Sequence, residues 1–250
     1  MIQKLNINDF TILILIRLDS IHRLENILAV SEYLTSNIEA DFMVLESSSY
    51  DNGLLKKLFN KKIRYSFQED NDPILYRTKL LNQMASQVET PYFACWDADV
   101  IIPIGQIAKA VELLRNNMTD FVYPYEELFL DTSLILRKLF LIEKTSLVLE
   151  KNIKKMAAMY LPNPLGGVFL ARLDKYKEAG LENENFYGWG MEDGDRYYRW
   201  INMGYRVNRI HGPLFHLSHV RGINSQYHNE DQKFIKEKMV LNVKRNKENG

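Results

Sequence analysis

The sequence predicts an α/β domain in which helices flank a single mixed, mostly parallel sheet. Residues 10–16 and 41–45 are apolar runs of strand length, and residues 21–34 between them have the apolar period of a helix. A strand, a helix and a second strand in this order start a parallel sheet. The 250 residues are 46% hydrophobic, which is enough for one substantial core.

The same alternation continues towards the middle of the chain. Asp72 is the expected N-cap of a helix that extends to about residue 88, because a proline follows it. A buried strand is predicted at residues 92–96, then a helix at 104–116 and a short strand at 121–123.

The second half of the chain has a less regular pattern. Residues 131–158 mix short aliphatic runs with basic side chains and are too charged to span a bilayer. This insertion fits either a pair of core helices or a basic amphipathic face for a membrane or a partner subunit. A helix is expected from about Glu192. A last amphipathic helix is expected at 229–244, followed by a frayed tail at 245–250.

Charge and cysteine content narrow the classes of function. The chain has 32 acidic and 32 basic residues, so no global positive charge indicates nucleic-acid binding. Its single cysteine, Cys95, excludes an intramolecular disulfide and lies in the predicted strand at 92–96. The first residues show no secretory signal, which predicts a cytoplasmic protein, with peripheral contact at the inner face of a membrane left open.

Two aspartates follow the predicted strand at 92–96. In open α/β sheets, ligands bind at the carboxyl ends of the strands, where Asp97 and Asp99 emerge. In an extended chain the two side chains point to the same side, with Ala98 pointing away. Two carboxylates this close repel each other, and a hard divalent cation removes that cost.

A second acidic cluster follows a glycine-containing loop. Glu192, Asp193 and Asp195 fall in the first turn of a predicted helix, where the helix dipole favours anions. Acidic residues at this position are often caps, and Asp195 is spaced to pair with Arg199 on the solvent face. The pattern alone therefore leaves structural and functional roles open.

The chain has only five histidines, and two of them form the pattern His216-Leu-Ser-His219. Together with the acidic clusters, they suggest metal ligation, although a structural role for either imidazole stays open. A mixed set of carboxylates and imidazoles fits Mn²⁺ or Mg²⁺ better than a closed zinc site, which uses more histidine or cysteine.

Three segments resemble β-1,4-galactosyltransferases and their bacterial relatives. Residues 163–199, with Gly-Trp-Gly-Met-Glu-Asp at 188–193, resemble the carboxyl-terminal motif region of that family. Residues 76–82 and 97–103 resemble two earlier family motifs and occur in the family's order. The resemblance implies a single domain with the GT-A glycosyltransferase fold. Its nucleotide-binding half would be 1–103, its sugar and acceptor half 104–228, and its carboxyl-terminal helix and tail 229–250.

The resemblance also implies a role for individual residues. Asp193 would be the general base, and Asp99 and His219 would hold Mn²⁺ or Mg²⁺, with His216 standing where the animal enzymes have methionine. Trp189 and Glu192 would line the sugar pocket. The residues implied around the donor diphosphate and its sugar are Arg17, Arg77, Lys79, Asp97, Gly166 and Gly167. Two further carboxylates, Asp19 and Glu46, end predicted strands where a uracil ring could bind, and a structural role for each is equally open.

Several positions depart from the family pattern. Gly194 stands where the animal enzymes have an aspartate that helps to hold an acceptor sugar, and Met191 replaces a glycine. Pro164-Leu165 stand where galactose-transferring relatives have aromatic residues, one of which crowds the 2-position of the donor sugar. A smaller residue there could admit an N-acetyl group, so both galactose and N-acetylgalactosamine stay open. The resemblance therefore does not transfer the acceptor.

The implied activity is metal-dependent, inverting transfer of a hexose or N-acetylhexosamine from a UDP-sugar to a glycan hydroxyl. Surface polysaccharide synthesis, with a saccharide or lipid-linked saccharide as acceptor, is the expected context, and a homo-oligomer stays open. The loop at 186–190 is expected to close over the nucleotide. A non-catalytic sugar-nucleotide or glycan binder is the alternative, and a nucleotidyltransferase or a metal hydrolase is a further one.

Overall fold

The computed structural model describes residues 4–160 and 162–245. The first half of the described chain alternates strands and helices. Its elements are β1 (Leu5–Ile16), α1 (Ile21–Asn37), β2 (Ile38–Ser48), α2 (Leu54–Leu58), β3 (Ile63–Glu69), α3 (Arg77–Ser86), β4 (Tyr92–Trp96), β5 (Val100–Ile101), α4 (Ile104–Arg115) and β6 (Phe121–Tyr123). The expectation about a signal sequence depends on residues 1–3, which lie outside the described ranges.

The second half has shorter strands and two single-turn 3₁₀ helices, Ile153–Lys155 and Ile223–Ser225. Its other elements are β7 (Phe129–Asp131), α5 (Leu134–Glu143), α6 (Ser146–Glu150), β8 (Ala157–Ala158), β9 (Val168–Arg172), α7 (Leu173–Glu178), α8 (Glu192–Asn202), β10 (Val207–Arg209), β11 (Leu214–His216) and α9 (Glu230–Arg245). Residue 245 belongs to α9, and the rest of the tail expected at 245–250 lies outside the described ranges.

The central sheet has seven strands in the order β10-β6-β9-β4-β1-β2-β3. Strands β4, β1, β2 and β3 are parallel neighbours, as are β6 and β10, whereas β9 runs antiparallel to β4 and β6. The predicted mixed, mostly parallel sheet is therefore confirmed. A second sheet, in the order β5-β11-β7-β8, accompanies it. Its strands have two or three residues each, which is too short for a periodic apolar pattern to predict them.

The pairing of the strands brings the sequence motifs of the two halves to one edge of the central sheet. Phe10 to Leu13 of β1 pair in register with Tyr92 to Cys95 of β4, so both strands end at the same edge of the sheet. In the small sheet, His216 of β11 pairs with Val100 of β5. The backbone therefore places His216 beside the residues that follow β4.

The core fixes helix α8 against the central sheet. Trp200 is fully buried and stacks on Phe121 with ring centroids 3.8 Å apart, and its ring meets Phe169 edge-on at 5.3 Å. Such aromatic contacts are stabilising beyond the area that they bury. Because Trp200 anchors α8, the acidic first turn of this helix has a fixed position relative to β6 and β9.

One predicted helix boundary is wrong. Asp72 is not an N-cap, because α3 begins at Arg77 with Tyr76 at the N-cap position. The Asp72 carboxylate instead accepts a hydrogen bond from the amide of Ile74 at 2.9 Å, which closes a local turn. The residue before a proline is biased away from the helical conformation, which favours such a turn here.

The insertion at 131–158 forms a helix pair, α5 and α6. Leu136 and Phe140 of α5 are buried in the core, and the buried Arg137 donates to Glu25 at 2.7 Å and to Asn26 at 2.8 Å, both on α1. The core side of the helix pair is therefore confirmed. Every helix within residues 4–160 and 162–245 is too short or too polar to cross a bilayer.

Candidate active site

A cavity of about 700 Å³ lies at the carboxyl ends of β1 and β4. It brings together residues from the three motifs that the sequence separates. These are Asp97 and Asp99 after β4, Glu192 and Asp193 at the start of α8, and His216 and His219 at and after β11. A smaller cavity of about 360 Å³ adjoins it and shares Arg17 and Asn224 with it. The predicted cluster of motif residues is thus one site in three dimensions.

Asp99 and the two histidines form a compact group of potential metal ligands. The Nε2 atom of His219 lies 3.1 Å from Oδ2 of Asp99, and Nε2 of His216 lies 3.6 Å from the same oxygen. One ligand atom from each residue lies within 4.8 Å of the others. A carboxylate and two imidazoles that face an open cavity leave room for further oxygen ligands, which fits Mn²⁺ or Mg²⁺.

Both imidazoles are oriented by a second contact. Nδ1 of His216 lies 2.7 Å from the carboxylate of Asp131, and Nδ1 of His219 lies 2.8 Å from the carbonyl oxygen of Val220. Because these oxygens are acceptors, we assign the proton to Nδ1 in each ring, which leaves Nε2 free for a ligand. Metal-bound histidines usually have such a second contact, and it fixes the ring.

The charges of this group are strongly coupled. Burial alone would raise the pKa of Asp99, but the neighbouring imidazoles hold it well below its usual range. Burial alone would lower the pKa of His216, but the carboxylates of Asp99 and Asp131 raise it to about 9. In the metal-free protein a proton on His216 therefore balances the two carboxylates, and a cation would replace that proton.

The two aspartates of the first motif do not share a side in the way that the sequence suggests. The chain turns after β4, and the carbonyl of Asp97 accepts a hydrogen bond from the amide of Val100 at 3.2 Å. Asp97 therefore pairs with Arg77 of α3 at 2.5 Å, whereas Asp99 faces the histidines. The expectation of an extended chain with both carboxylates on one side was wrong, because a turn replaces the strand there.

Asp193 lies at the edge of the same cavity. One carboxylate oxygen, Oδ1, pairs with Arg196, and Arg196 is itself buried against Glu182 at 2.8 Å. The other oxygen, Oδ2, lies so close to Gly166 that a Cβ atom at that position would meet it at 2.8 Å. The side chain is about one-third exposed, at 31%. Asp193 thus has one oxygen held by the protein and one facing the cavity.

Gly167 needs to be glycine for two reasons. Its φ of +87° is in the left-handed region, and a Cβ atom there would lie 2.7 Å from the Leu214 side chain. Its carbonyl accepts a hydrogen bond from the amide of Asp97 at 2.8 Å. The Gly166-Gly167 pair therefore passes between the first acidic motif and Asp193. Met191 also has a left-handed φ, of +71°, which is the conformation that favours glycine.

Glu192 is almost completely buried, with 6% of its surface exposed. Burial raises the pKa of Glu192 to about 7, the nearby Asp193 adds to this rise, and Arg77, 3.8 Å away, opposes it. Its Oε2 atom is buried and has no hydrogen-bond partner among the described residues. A buried acceptor without a partner is costly, so this oxygen is suited to a polar group of a ligand. Trp189, half-buried, lines the cavity beside it.

Four of the predicted donor residues have other contacts. Lys79 is exposed and lies 5.8 Å above the Tyr76 ring, outside both cavities. Glu46 is buried, accepts a hydrogen bond from Tyr65 at 2.8 Å, and lines neither cavity. For Lys79 and Glu46 the structure does not support the predicted role, because one points to solvent and the other is enclosed.

Arg17 and Asp19 do reach the cavities. Arg17 lines both, but its guanidinium donates to the carbonyls of Ser47 and Asp72 and to the Asp70 carboxylate, at 2.9, 2.6 and 2.7 Å. Its donors therefore brace the ends of the neighbouring strands. Asp19 lines the smaller cavity and pairs with Arg23 at 3.0 Å.

Asp195 is also placed differently from the expectation. It pairs with Arg199 at 2.7 Å, as the spacing predicts, but its carboxylate is 1% exposed and not on the solvent face. Sequence reasoning missed three contributors to the site: Asp131, Arg196 and Tyr227. Asp131 and Tyr227 act through tertiary contacts that no local pattern in the sequence marks. Arg196 contacts Asp193 at i,i+3 within α8, and this spacing could have indicated the pair.

Glu192→Gln is expected to change how stability depends on pH. The pKa of Glu192 is higher in the folded state than in the unfolded state, so the folded protein favours the protonated carboxyl group. Its contribution to stability is therefore fully present below about pH 4.5 and is lost as the pH rises through about 7. The amide removes that dependence. Urea unfolding should therefore show a higher free energy of unfolding for the variant than for the wild-type protein at pH 8. This difference should exceed the difference at pH 5 by an amount on the order of 2–3 kcal/mol. The exposed Glu230→Gln is the control, and an equal effect of Glu192→Gln at both pH values would contradict the expectation.

Comparison with known proteins agrees with this geometry. A family model described as "N-terminal domain of galactosyltransferase" matches residues 153–228, which is less than half of the chain. No curated protein sequence matches the chain. The solved structures similar to it include the catalytic domain of Drosophila β1,4-galactosyltransferase 7 in complex with xylobiose. That match has 16% identity and a TM-score of 0.55 and covers 91% of this chain and 79% of that one.

Two further structures show the same fold. A mutant of the Drosophila enzyme in complex with manganese, UDP-Gal and xylobiose matches with 16% identity, a TM-score of 0.53, and coverage of 91% and 79%. The mannosyltransferase PcManGT from Pyrobaculum calidifontis, in complex with GDP-Man and Mn²⁺, matches with 16% identity and a TM-score of 0.53. It covers 86% of this chain and 58% of that one. The chain therefore has the GT-A glycosyltransferase fold and resembles the β-1,4-galactosyltransferase family.

Proposed function

We propose that the protein is a metal-dependent, inverting glycosyltransferase that moves a hexose or N-acetylhexosamine from a UDP-sugar to a saccharide hydroxyl. The observation that carries this proposal is the cavity at the sheet edge, because it holds both the Asp99-His216-His219 group and Asp193. The similar Drosophila structure in complex with manganese, UDP-Gal and xylobiose supports the same assignment.

The donor is proposed to lie across the two cavities. The smaller cavity, at the ends of β1 and β2, has room for a nucleoside, and Asp19 would contact it. The larger cavity takes the diphosphate and sugar, and Arg77, Arg23 and Arg221 supply positive charge along it. A cation held by Asp99, His216 and His219 would stabilise the negative charge that grows on the departing diphosphate.

Asp193 is proposed to be the base. As the acceptor hydroxyl attacks the anomeric carbon from the face opposite the diphosphate, its proton passes to Oδ2, the carboxylate oxygen that faces the cavity. Arg196 holds the other oxygen and so orients the group. A positioned base of this kind contributes about 10²–10⁴-fold to the rate. One displacement with one base inverts the anomeric configuration.

The sugar pocket supports galactose or N-acetylgalactosamine as the donor sugar. Leu165 and Pro164 line the cavity beside Gly166 and leave space where an aromatic side chain would crowd the 2-position of the sugar. Trp189 and Glu192 also line this cavity and offer an aromatic ring and a buried oxygen without a partner among the described residues. We propose a role in surface polysaccharide synthesis, with a saccharide or lipid-linked saccharide as acceptor.

The outer face of α5 and α6 is proposed to rest on an anionic membrane. Ile135 and Ile142 are 80% and 67% exposed on one side of α5, and Leu147 of α6 is also exposed. The exposed lysines of this segment form no ion pair within residues 4–160 and 162–245; they are Lys138, Lys151, Lys154 and Lys155. Aliphatic side chains surrounded by unpaired lysines fit an interface with acidic lipid headgroups.

The first turn of this helix pair lies close to the cavity. Helix α5 starts three residues after Asp131, whose carboxylate contacts His216. A membrane on this face would therefore be connected to the candidate metal group by a short segment of the chain.

Asp99→Asn should abolish metal-dependent donor binding. For the wild-type protein, UDP-galactose and Mn²⁺ at about a hundred times the dissociation constant add ~2.7 kcal/mol, which raises the melting temperature by roughly 5–10 °C. The variant should lose this shift, whereas the exposed Asp231→Asn should keep it. A wild-type protein that shows no shift with UDP, UDP-galactose or UDP-N-acetylgalactosamine would contradict the donor assignment.

Asp193→Asn should separate chemistry from donor binding. Transfer to a saccharide should fall by about 10²–10⁴-fold because the base is lost, while the thermal shift with UDP-sugar and Mn²⁺ should stay. Turnover should be measured by release of UDP with and without acceptor. Retained turnover would remove Asp193 from the role of base. A wild-type protein that binds the donor but transfers to no acceptor would favour the non-catalytic binder.

Ile135→Ser with Ile142→Ser should weaken membrane binding. Flotation with phosphatidylglycerol vesicles should show that the affinity for the vesicles falls by about tenfold or more, because each substitution removes an apolar side chain from the membrane contact. Binding to pure phosphatidylcholine should already be weak for the wild-type protein. The control is Met118→Ser with Met203→Ser, which changes two exposed side chains elsewhere. Equal binding of both double variants would refute the membrane face.

A further inference from the structure

We propose that helix α9 is a clamp that positions the candidate active site, with Lys236 as its main positioning residue. The clamp holds the loop at 187–190, which carries Trp189 and leads directly into Glu192 and Asp193. The contacts of the clamp are independent of the proposed function, and only its effect on turnover rests on that function.

Two side chains of α9 bind three successive carbonyls of the loop. The Lys236 ammonium donates to the carbonyl of Gly188 at 3.1 Å and to that of Trp189 at 2.8 Å. The Gln232 amide donates to the carbonyl of Tyr187 at 3.3 Å. Residues four apart lie on the same face of a helix, so Gln232 and Lys236 act together.

The burial of Lys236 indicates that its contact with the loop is a built part of the structure. Only 3% of this lysine is exposed, whereas Lys233 and Lys238 of the same helix are at or near the surface. An ammonium group taken out of water costs free energy unless hydrogen bonds replace its hydration. Burial lowers the pKa of Lys236, and the charge of Glu192 opposes that change. The carbonyls of Gly188 and Trp189 supply the hydrogen bonds that make this position tolerable.

The loop is also held by packing against Tyr227, which precedes α9. Gly190 has a φ of +102°, and a Cβ atom there would lie 2.8 Å from the ring of Tyr227. The Tyr227 ring also meets Trp189 edge-on, with centroids 5.2 Å apart. The segment that leads into α9 thus covers the loop, and α9 itself binds the backbone.

Helix α9 also packs closely on the first turn of α8. A Cβ atom at Gly194 would lie 3.3 Å from the Val240 side chain of α9, which is closer than an ordinary van der Waals contact. A side chain at Gly194 would therefore require Val240 to shift, so the small residue favours this close packing.

The expected effect of the clamp is specific to one part of the site. Trp189, Glu192 and Asp193 depend on the loop and on the start of α8. The Asp99-His216-His219 group depends on the pairing of β5 with β11, whereas the hydrogen bonds of Gln232 and Lys236 go to the loop. Loosening the clamp should therefore disturb the base and the sugar pocket and leave the binding of metal and UDP intact. The clamp also restricts the movement by which the loop at 186–190 is expected to close over the nucleotide.

Lys236→Met removes the two hydrogen bonds to the carbonyls of Gly188 and Trp189 and puts an apolar side chain of similar length in place of the lysine. Lys238→Met on the exposed side of the same helix is the matched control. Acrylamide quenching of tryptophan fluorescence reports on Trp189, because Trp96 and Trp200 are 1% and 0% exposed. Quenching and chymotryptic cleavage at 186–189 should both rise in Lys236→Met and stay at the wild-type level in the control.

The kinetic constants of Lys236→Met should show damage to catalysis with binding of metal and UDP unchanged. For Lys236→Met we expect kcat to fall by about 10²-fold, as for a misplaced catalytic group, and KM for the acceptor to rise. The thermal shift with UDP and Mn²⁺ should stay at the wild-type value, because UDP has no sugar to contact Trp189 or Glu192. Unchanged quenching in Lys236→Met would overturn the clamp.

A second variant covers the case in which Lys236→Met does not fold. Gln232→Leu removes the hydrogen bond to the carbonyl of Tyr187 and the one that Oε1 of Gln232 accepts from the amide of His228 at 3.0 Å, and it leaves both contacts of Lys236 in place. It should raise quenching by a smaller amount than Lys236→Met, and no rise there would overturn the clamp. If the wild-type protein transfers no sugar at all, the proposed function fails, yet the quenching comparison still decides whether α9 holds the loop.

Discussion

The candidate site depends on the chain passing Gly166 and Gly167 without side chains. At Gly166 a single added carbon would collide with the carboxylate of Asp193, and at Gly167 it would collide with the side chain of Leu214. The carbonyl of Gly167 also accepts the amide of Asp97. This backbone contact brings the residues after β4 and the start of α8 close enough to share a cavity. A metal-binding group and a base can work on one substrate only when they are this near.

Four carboxylates share the cavity because each lies near a cationic or imidazole side chain. Arg77 lies between Asp97 and Glu192, Arg196 pairs with Asp193, and Asp99 faces two imidazoles. Like charges in so small a space would otherwise keep some of the acids protonated. Burial nevertheless raises the pKa of Asp97 and raises that of Glu192 to about 7, although Arg77 opposes both changes. The site therefore keeps most of its negative charge, and that charge suits a cation.

Much of the fold and the main motifs could be predicted from the sequence, because they rest on local patterns. The apolar runs of β1 and β4, the helix of α1 and the acidic first turn of α8 all follow from periodicity and helix-end preferences. The small second sheet could not be predicted, since its strands are too short to show a period. The turn after β4 was missed because Asp97 to Asp99 read equally well as an extended segment.

The contacts that orient the residues of the site could not be predicted from the sequence. Asp131 is 85 residues from His216 in the chain, and Lys236 is 48 residues from Gly188. Nothing near Asp131 or Lys236 in sequence marks either as special. Lys79 and Glu46 show the opposite error, because family position and strand ends suggested them and their surroundings place them outside the cavities. A residue type in a motif position predicts chemistry only when the tertiary structure also directs the side chain.

The long separation between the loop and α9 has a consequence for folding in the cell. Domains are synthesised from the amino terminus, so the loop at 187–190 leaves the ribosome well before Lys236 exists to hold it. Trp189 and the buried position for Glu192 would then be among the last parts of the molecule to become ordered. A nascent chain with a complete central sheet would still be incompetent for catalysis. A damaged or shortened α9 would yield a protein that looks folded to most probes of the core and yet is inactive.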